Sequence, residues 1–493
     1  MNDNLEESKR ADLWSKRLCS VRRKSKGEPA STEKATQYAE VRTEIERDFD
    51  RILFSTPVRR LADKTQVFPL DKNDSVRNRL THSYEVSNLA RSLGTALCYS
   101  NKSVFEGVEN AARDVPALLA AIGLVHDLGN PPFGHQGEAA MQHWFSENKG
   151  LVLAEAPPEE FEYFEDFRLF EGNAQGFRLV TRLQLLNDDF GLDLTCATLA
   201  AMMKYPTSSN QIDTNIAAKK KHGYFHSEAA IAEEILVKVG LEQGKRHALT
   251  YIMEACDDIA YVVLDAEDSV KKGLASFADL MAYLRHHGKD DELITSLVIQ
   301  SEEKHKNYRE CEFRLSPAEL NDISMQRFRV FAIGAMIRTA SNSFEEHLEF
   351  FLQGNQSEPL LEISKAKKLR KVLKDFSLTH GYNHKTVLAL ELDGFNTIRS
   401  LMDMLWFSIK TMTGKSETDK TKPHPFARLV YARISENYRR TFDSAYKTKL
   451  LPLWYYQCQL LTDMVSGMTD SYAINLCSEL KGLQGDCDLK VQK

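Results

Sequence analysis

No two of the eight cysteines stand in a CxxC arrangement; they fall at 19, 98, 196, 256, 311, 458, 477 and 487. That spacing argues against a disulfide framework and a thiolate zinc site, and suits small, reduced, mostly buried hydrophobes. Long apolar runs are also missing. Stretches such as residues 330–337 are far shorter than the about 20 residues that span a bilayer. The N-terminal eighteen residues are charged rather than leader-like, so a soluble, cytoplasmic protein is expected. Positive charge is not in excess either: 64 Lys and Arg oppose 70 Asp and Glu, a net charge of −6. No global field would gather a polyanion, and any such site must be a local patch. Alternating runs of strand type are few and short.

What remains is helical periodicity, and the fold class expected is all-α. Val86, Leu89, Ala90, Leu93 and Leu97 share one face of a helix that begins near His82 and ends near Tyr99. Residues 116–125 are apolar all round, the mark of a buried helix, and they stop at a Gly- and Pro-rich breaker, residues 127–132. A helix carrying Glu138 restarts over residues 137–145. Residues 249–268 place Asp257, Tyr261, Asp265 and Asp268 on one polar stripe, while Ile252, Cys256, Ile259, Ala260 and Val263 face elsewhere. Residues 149–167, rich in Pro and Glu, and residues 415–425 read as surface insertions. Lys9, Arg10, Lys16, Arg17, Arg22, Arg23, Lys24 and Lys26 make the N-terminal segment basic. It reads either as a solvated or disordered end or as a contact for a polyanion.

The strongest chemical signal is His126-Asp127 at the end of the apolar helix, because a buried ionisable pair needs a partner to offset its desolvation. An isolated pair of this kind is more often a hydrogen-bonded core histidine than a ligand. The set His82, His126, Asp127 and Asp257 shifts that balance: each lies at a polar position of an expected helix. Imidazole and carboxylate without thiolate suit a divalent ion, with positions left open for water and phosphate. The order H…HD…D resembles the HD superfamily of metal-dependent phosphohydrolases.

Longer segments narrow the resemblance. They are residues 49–61 (FDRILFSTPVRRL), 64–68 (KTQVF), 79–82 (RLTH), 126–138 (HDLGNPPFGHQGE), 171–176 (EGNAQG), 223–225 (GYF), 254–261 (EACDDIAY) and 466–470 (SGMTD). Together, from about residue 40 to about residue 475, they resemble the bacterial deoxyguanosinetriphosphate triphosphohydrolases. The resemblance implies His82, His126, Asp127 and Asp257 as ligands of Mn²⁺, Mg²⁺ or Co²⁺. It prefers Asp257 to Asp258, which would point about 100° away on the helix. It also implies a catalytic pair, His135 and Glu138; a His135 that merely caps the following helix is the plain alternative. Substrate contacts implied are Gln66 and Val67 near the sugar and base, and Asn173, Lys204, Lys221, Tyr261, Asp265 and Arg428 at the triphosphate. Tyr382 and Glu391 are implied at guanine. Lys221 also fits a solvated Lys-rich turn, residues 219–221.

The implied reaction converts dGTP and water to deoxyguanosine and tripolyphosphate by attack at the α-phosphate. A homohexamer and a single-stranded DNA effector are implied as partners. Three regions are expected: a basic segment 1–35, an HD-domain core 36–275, and a helical region 276–493 that completes the nucleotide site and oligomer contacts. Two rivals remain at this level: a phosphodiesterase or 5′-nucleotidase on the same HD site, and a helical nucleic-acid-binding protein with a structural HD centre.

Overall fold

The computed structural model describes residues 2–24, 41–67, 76–184, 190–310, 315–355, 358–382, 385–413 and 422–485. Among them the chain forms helices and no strand; the only extended pairings are two isolated bridges, Arg22 with Thr195 and Thr65 with Asn78. The all-α expectation holds.

The organising element is the helix Ala248–Lys271, buried along nearly its whole length. Helices Arg79–Tyr99, Ala111–Val125, Pro317–Glu346 and Lys367–Ser377 pack around it. Two of these, Arg79–Tyr99 and Ala111–Val125, approach unusually closely. A side chain at Gly123 would come within 2.7 Å of the Ser87 Cα, so only a residue without a Cβ permits the crossing. The Ser87 hydroxyl donates to the Ala120 carbonyl across the same contact, at 2.8 Å. The C-terminal half closes over this core. Helix Lys385–Thr413 packs on Gly134–Glu147 and on Leu453–Ser466, and Asp470–Gln484 packs on it in turn. One hydrophobic cluster runs from Trp14 to Leu480.

Buried ion pairs tie distant segments together. Arg178 forms a two-pronged pair with Asp463, at 2.9 and 2.8 Å, and its third nitrogen reaches Glu228 at 2.8 Å. Burial would lower the Arg178 pKa, but the two carboxylates outweigh it and raise it. Such a pair, once formed, is costly to break from one side.

Several expectations need correction. Helix Ala111–Val125 begins before residue 116, with Pro116 inside it, and the Glu138 helix begins at Gly134 rather than Gly137. Residues 149–167 lie mostly at the surface up to residue 163, but their end does not: Phe164, Asp166 and Phe167 are fully buried, and the Asp166 carboxylate accepts from the Tyr455 hydroxyl at 2.5 Å and from Ser209 at 2.7 Å. The N-terminal segment is not a solvated end over its described part. Residues Asn2–Arg17 form a helix whose Trp14 is fully buried and donates to the Val104 carbonyl at 2.8 Å. Arg17 is buried and donates to the carbonyls of Val239 and Leu352. Arg22 pairs with Glu44 and Asp48 at 2.5 and 2.8 Å. Residues 25–40 and most of the 415–425 stretch lie outside the described residues. The six described cysteines are all free.

Trp14→Ala should lower unfolding free energy by about 3 kcal/mol, the usual cost of emptying a buried aromatic site. Urea denaturation measures it; a loss below about 1 kcal/mol would mean that this helix is not part of the cooperative core.

Candidate metal centre and substrate cleft

His82 projects from the first turn of helix Arg79–Tyr99, which Asn78 caps through a reciprocal bond pair with Thr81. His126 is the cap at the carboxyl end of Ala111–Val125, where the helix dipole favours positive charge. The close crossing at Gly123 brings the two imidazoles to 5.5 Å between centroids. Asp257 reaches between them from the central helix: its Oδ1 is 3.1 Å from His82 Nε2 and 3.5 Å from His126 Nε2. These three residues form the group among the described residues whose ligand atoms all lie within 4.8 Å of one another.

The geometry fits a divalent ion. His126 Nδ1 donates to the Gly123 carbonyl at 2.8 Å, which leaves Nε2 as the lone-pair nitrogen, and that nitrogen is buried without a hydrogen-bond partner. Ligand atoms about 2.1 Å from one ion stand about 3 Å apart in a compact coordination shell, close to the spacings found here. Electrostatics agree. Burial would lower the His126 pKa, but Asp127 and Asp257 outweigh it and raise it to about 9. Burial would raise Asp257, but His126 and His82 outweigh it and hold it well below the usual carboxylate range. The cluster thus demands positive charge.

Asp127 stands at the edge of the group. Its Oδ2 lies 3.5 Å from His126 Nε2 but is engaged by Arg79 Nη1 at 2.5 Å, and its Oδ1 accepts from Asn130 at 2.8 Å. Burial would raise its pKa; Arg79 and His126 pull it down to about 2. Asp258 has another job. It accepts from Arg370 Nε at 2.8 Å.

The second pair lies on helix Gly134–Glu147. His135 Nδ1 is 3.2 Å from Glu138 Oε2, and Glu138 Oε1 accepts from the Gly172 amide at 2.8 Å. Glu138 is buried, whereas the His135 side chain is 89% accessible, so substrate and water can reach it. The hydrogen bond from Glu138 raises the His135 pKa above its ordinary value. Burial would raise Glu138, but His135 and Lys221 outweigh it and hold the carboxylate down.

Around these groups the other expected residues fall into local sets. Lys221 pairs with Glu171, which also accepts from the Asn173 side chain at 2.7 Å. Lys204 lies 3.4 Å from Glu254, whose other oxygen accepts from Arg246 at 2.8 Å. Tyr261 stacks on Tyr382, with centroids 6.0 Å apart and planes 13° from parallel, and the Tyr382 hydroxyl donates to Asp265. Burial pushes Asp265 well above the usual carboxylate range. Burial raises the Glu391 pKa, and Gln136, the neighbour of His135, acts against it. Gln66 has a buried side-chain oxygen with no hydrogen-bond partner among the described residues, and Val67 follows it, half-buried. Arg428 stands apart, exposed on helix Pro425–Arg433, and forms no ion pair with this cluster among the described residues.

Sequence reasoning assigned no role to Arg79, Glu171, Glu254, Arg370 or Asp470. Arg79 stands three residues before His82 on the same helical face, Glu171, Glu254 and Asp470 lie within the family-like segments 171–176, 254–261 and 466–470, and Arg370 lies outside them. The metal assignment makes a separable prediction. Asp257→Asn should weaken Mn²⁺ binding in equilibrium dialysis by more than about tenfold, and Asp258→Asn should leave it within a few-fold. Equal losses would contradict the assignment.

A family model described as HD domain matches residues 79–167, the span that carries His82, His126 and Asp127. A deoxyguanosinetriphosphate triphosphohydrolase-like protein of Listeria innocua is 35% identical over 95% of this chain and 99% of its own length. A like-named protein of Synechocystis is 33% identical over 90% and 94%. A probable deoxyguanosinetriphosphate triphosphohydrolase of Pseudomonas aeruginosa is 32% identical over 89% and 93%. At that identity and coverage, the chain belongs to the deoxyguanosinetriphosphate triphosphohydrolase-like family of HD-domain proteins.

Proposed function

We propose that the protein hydrolyses deoxynucleoside triphosphates, dGTP first among them, to the deoxynucleoside and intact tripolyphosphate. The observation that carries this reading is the pairing of the His82, His126 and Asp257 cluster with an accessible, Glu138-held His135. His82, His126, Asp127 and Asp257 would hold the ion, with Mn²⁺, Mg²⁺ or Co²⁺ matching the donor set. Bound there, a divalent ion supplies Lewis-acid polarisation of the phosphate and lowers the pKa of water.

The chain's own residues do the rest. Water attacks the α-phosphorus, the bond to the 5′ oxygen breaks, and that oxygen needs a proton. His135, kept protonated by Glu138, donates it, and the same pair takes up the proton that the attacking water sheds. Lys204, Lys221 and Asn173 supply point charge and hydrogen bonds to the phosphates. Tyr261, Asp265 and Arg428 belong to the phosphate contacts by family resemblance. Gln66 and Val67 bound the sugar, and Tyr382 and Glu391 the base. No helix among the described residues is long and apolar enough to cross a membrane. Cytoplasmic location, hexamer assembly and a response to single-stranded DNA complete the reading and rest on family resemblance.

Incubation with dGTP and Mn²⁺ should release tripolyphosphate as the first inorganic product, resolved by ion chromatography; diphosphate or orthophosphate would overturn the reading. Because Glu138 raises the His135 pKa, proton donation persists above the ordinary imidazole value of 6.5 and fades as pH climbs past the raised one. Glu138→Gln should therefore move that decline in kcat to lower pH. An unmoved decline would remove His135 from the proton-donating role.

A further inference from the structure

The segment Ser466–Asp470 was conspicuous in the sequence, yet none of its residues reaches the cluster. Its last residue is nonetheless wired to the site. Asp470 is buried, and one of its carboxylate oxygens accepts from both the amide, at 2.9 Å, and the hydroxyl of Thr65. The other accepts from the Phe133 amide at 2.9 Å.

Both partners lead directly into the cleft. Phe133 has φ +62°, an uncommon left-handed conformation for a bulky side chain, and Gly134 follows at φ +56°. This double reversal aims the helix whose second residue is His135. On the other arm, the Thr65 carbonyl accepts from Nε and Nη2 of Arg79 at 3.1 and 2.9 Å, and Arg79 Nη1 holds Asp127. Thr65 also precedes Gln66 and Val67. Lys64 reinforces the junction by donating to the carbonyls of Asn130 and Ser466 at 2.6 and 2.7 Å.

We propose that Asp470 is a positioning residue that fixes the His135 turn and the Thr65–Arg79–Asp127 arm relative to each other. The proposal rests on the proton-donor role given to His135 above. An ionised carboxylate is the group suited to this task, because it alone accepts on both oxygens. Asparagine has nearly the same shape but one accepting oxygen, so it can serve the Phe133 amide or the Thr65 amide and not both. Held strain in the Phe133–Gly134 turn would then relax, and His135 would drift from Glu138.

The test is steady-state hydrolysis of dGTP with Mn²⁺ by wild type, Asp470→Asn and Thr65→Val. Mn²⁺ affinity and hydrogen exchange of the peptides covering 61–67 and 130–138 are measured alongside. Asp470→Asn should lower kcat at least about tenfold, as expected for misplacement of reacting groups. It should also move the high-pH decline in kcat to lower pH, while Mn²⁺ affinity stays within a few-fold. Thr65→Val, which frees the hydroxyl alone, should show a smaller loss of kcat. A kcat within twofold of wild type, or a loss with an unmoved pH profile, overturns the proposal. If wild type does not hydrolyse dGTP, the function proposed above fails and exchange decides this point separately. Faster exchange confined to those two peptides in Asp470→Asn supports the clamp, and unchanged or general exchange overturns it.

Discussion

The whole site depends on how closely two helices cross. Where Arg79–Tyr99 meets Ala111–Val125, Gly123 lies against the backbone of Ser87, and the Ser87 hydroxyl closes the gap by bonding Ala120. A methyl group at position 123 would push the helices apart, and His82 and His126 with them. Imidazoles must be placed to within a few tenths of an ångström to share an ion, and a crossing fixed by backbone contact is more exact than one cushioned by long side chains. The central helix then needs only to present Asp257 between the two rings. Its neighbour Asp258 is engaged by Arg370, so the two adjacent acids do not compete.

A second requirement is that chain segments hundreds of residues apart be tied together around the site. Asp463 grips Arg178, and Lys64 and Asp470 join the 60s segment, the 130s turn and the end of helix Leu453–Ser466. Most of these groups are buried and polar, so each is costly if left unpaired. The C-terminal region therefore does more than cover the core: without it, Thr65 and Phe133 would lose the partners that shape the substrate side. This explains why relatedness extends over nearly the full chain rather than over the HD-domain span alone.

Much of the centre was legible in the sequence because ionisable residues stand out in apolar helices. His126 and Asp127 announced themselves in this way, whereas the choice of Asp257 over Asp258 came from the family resemblance, and the 3.6-residue period only placed Asp257 on the stripe of Tyr261 and Asp265. Helix bounds were legible where the period ran cleanly and not where backbone chemistry set them. The start at Gly134 depends on two left-handed residues, which leave no periodic trace. The N-terminal helix was misjudged because its arginines were counted as surface charge. Trp14 and Leu18, one turn apart, marked a buried face, and Arg17 beside them reaches main-chain carbonyls instead of water. Phe164 and Phe167 carried a similar signal at the end of a stretch that Pro and Glu disguised. Asp470 ended a family-like segment but showed no role there, since its partners Thr65 and Phe133 lie far away along the chain, and Arg370 lay outside every such segment.

The central claim is that this crossing builds a metal centre from His82, His126 and Asp257, with Asp127 poised at its edge. Anomalous diffraction from crystals soaked in Mn²⁺ tests it most directly. The account predicts a peak within about 2.2 Å of Nε2 of both histidines and of an Asp257 oxygen, with Asp127 turned toward it from Arg79. Strong manganese density elsewhere, with this cluster empty at saturating Mn²⁺, would contradict it.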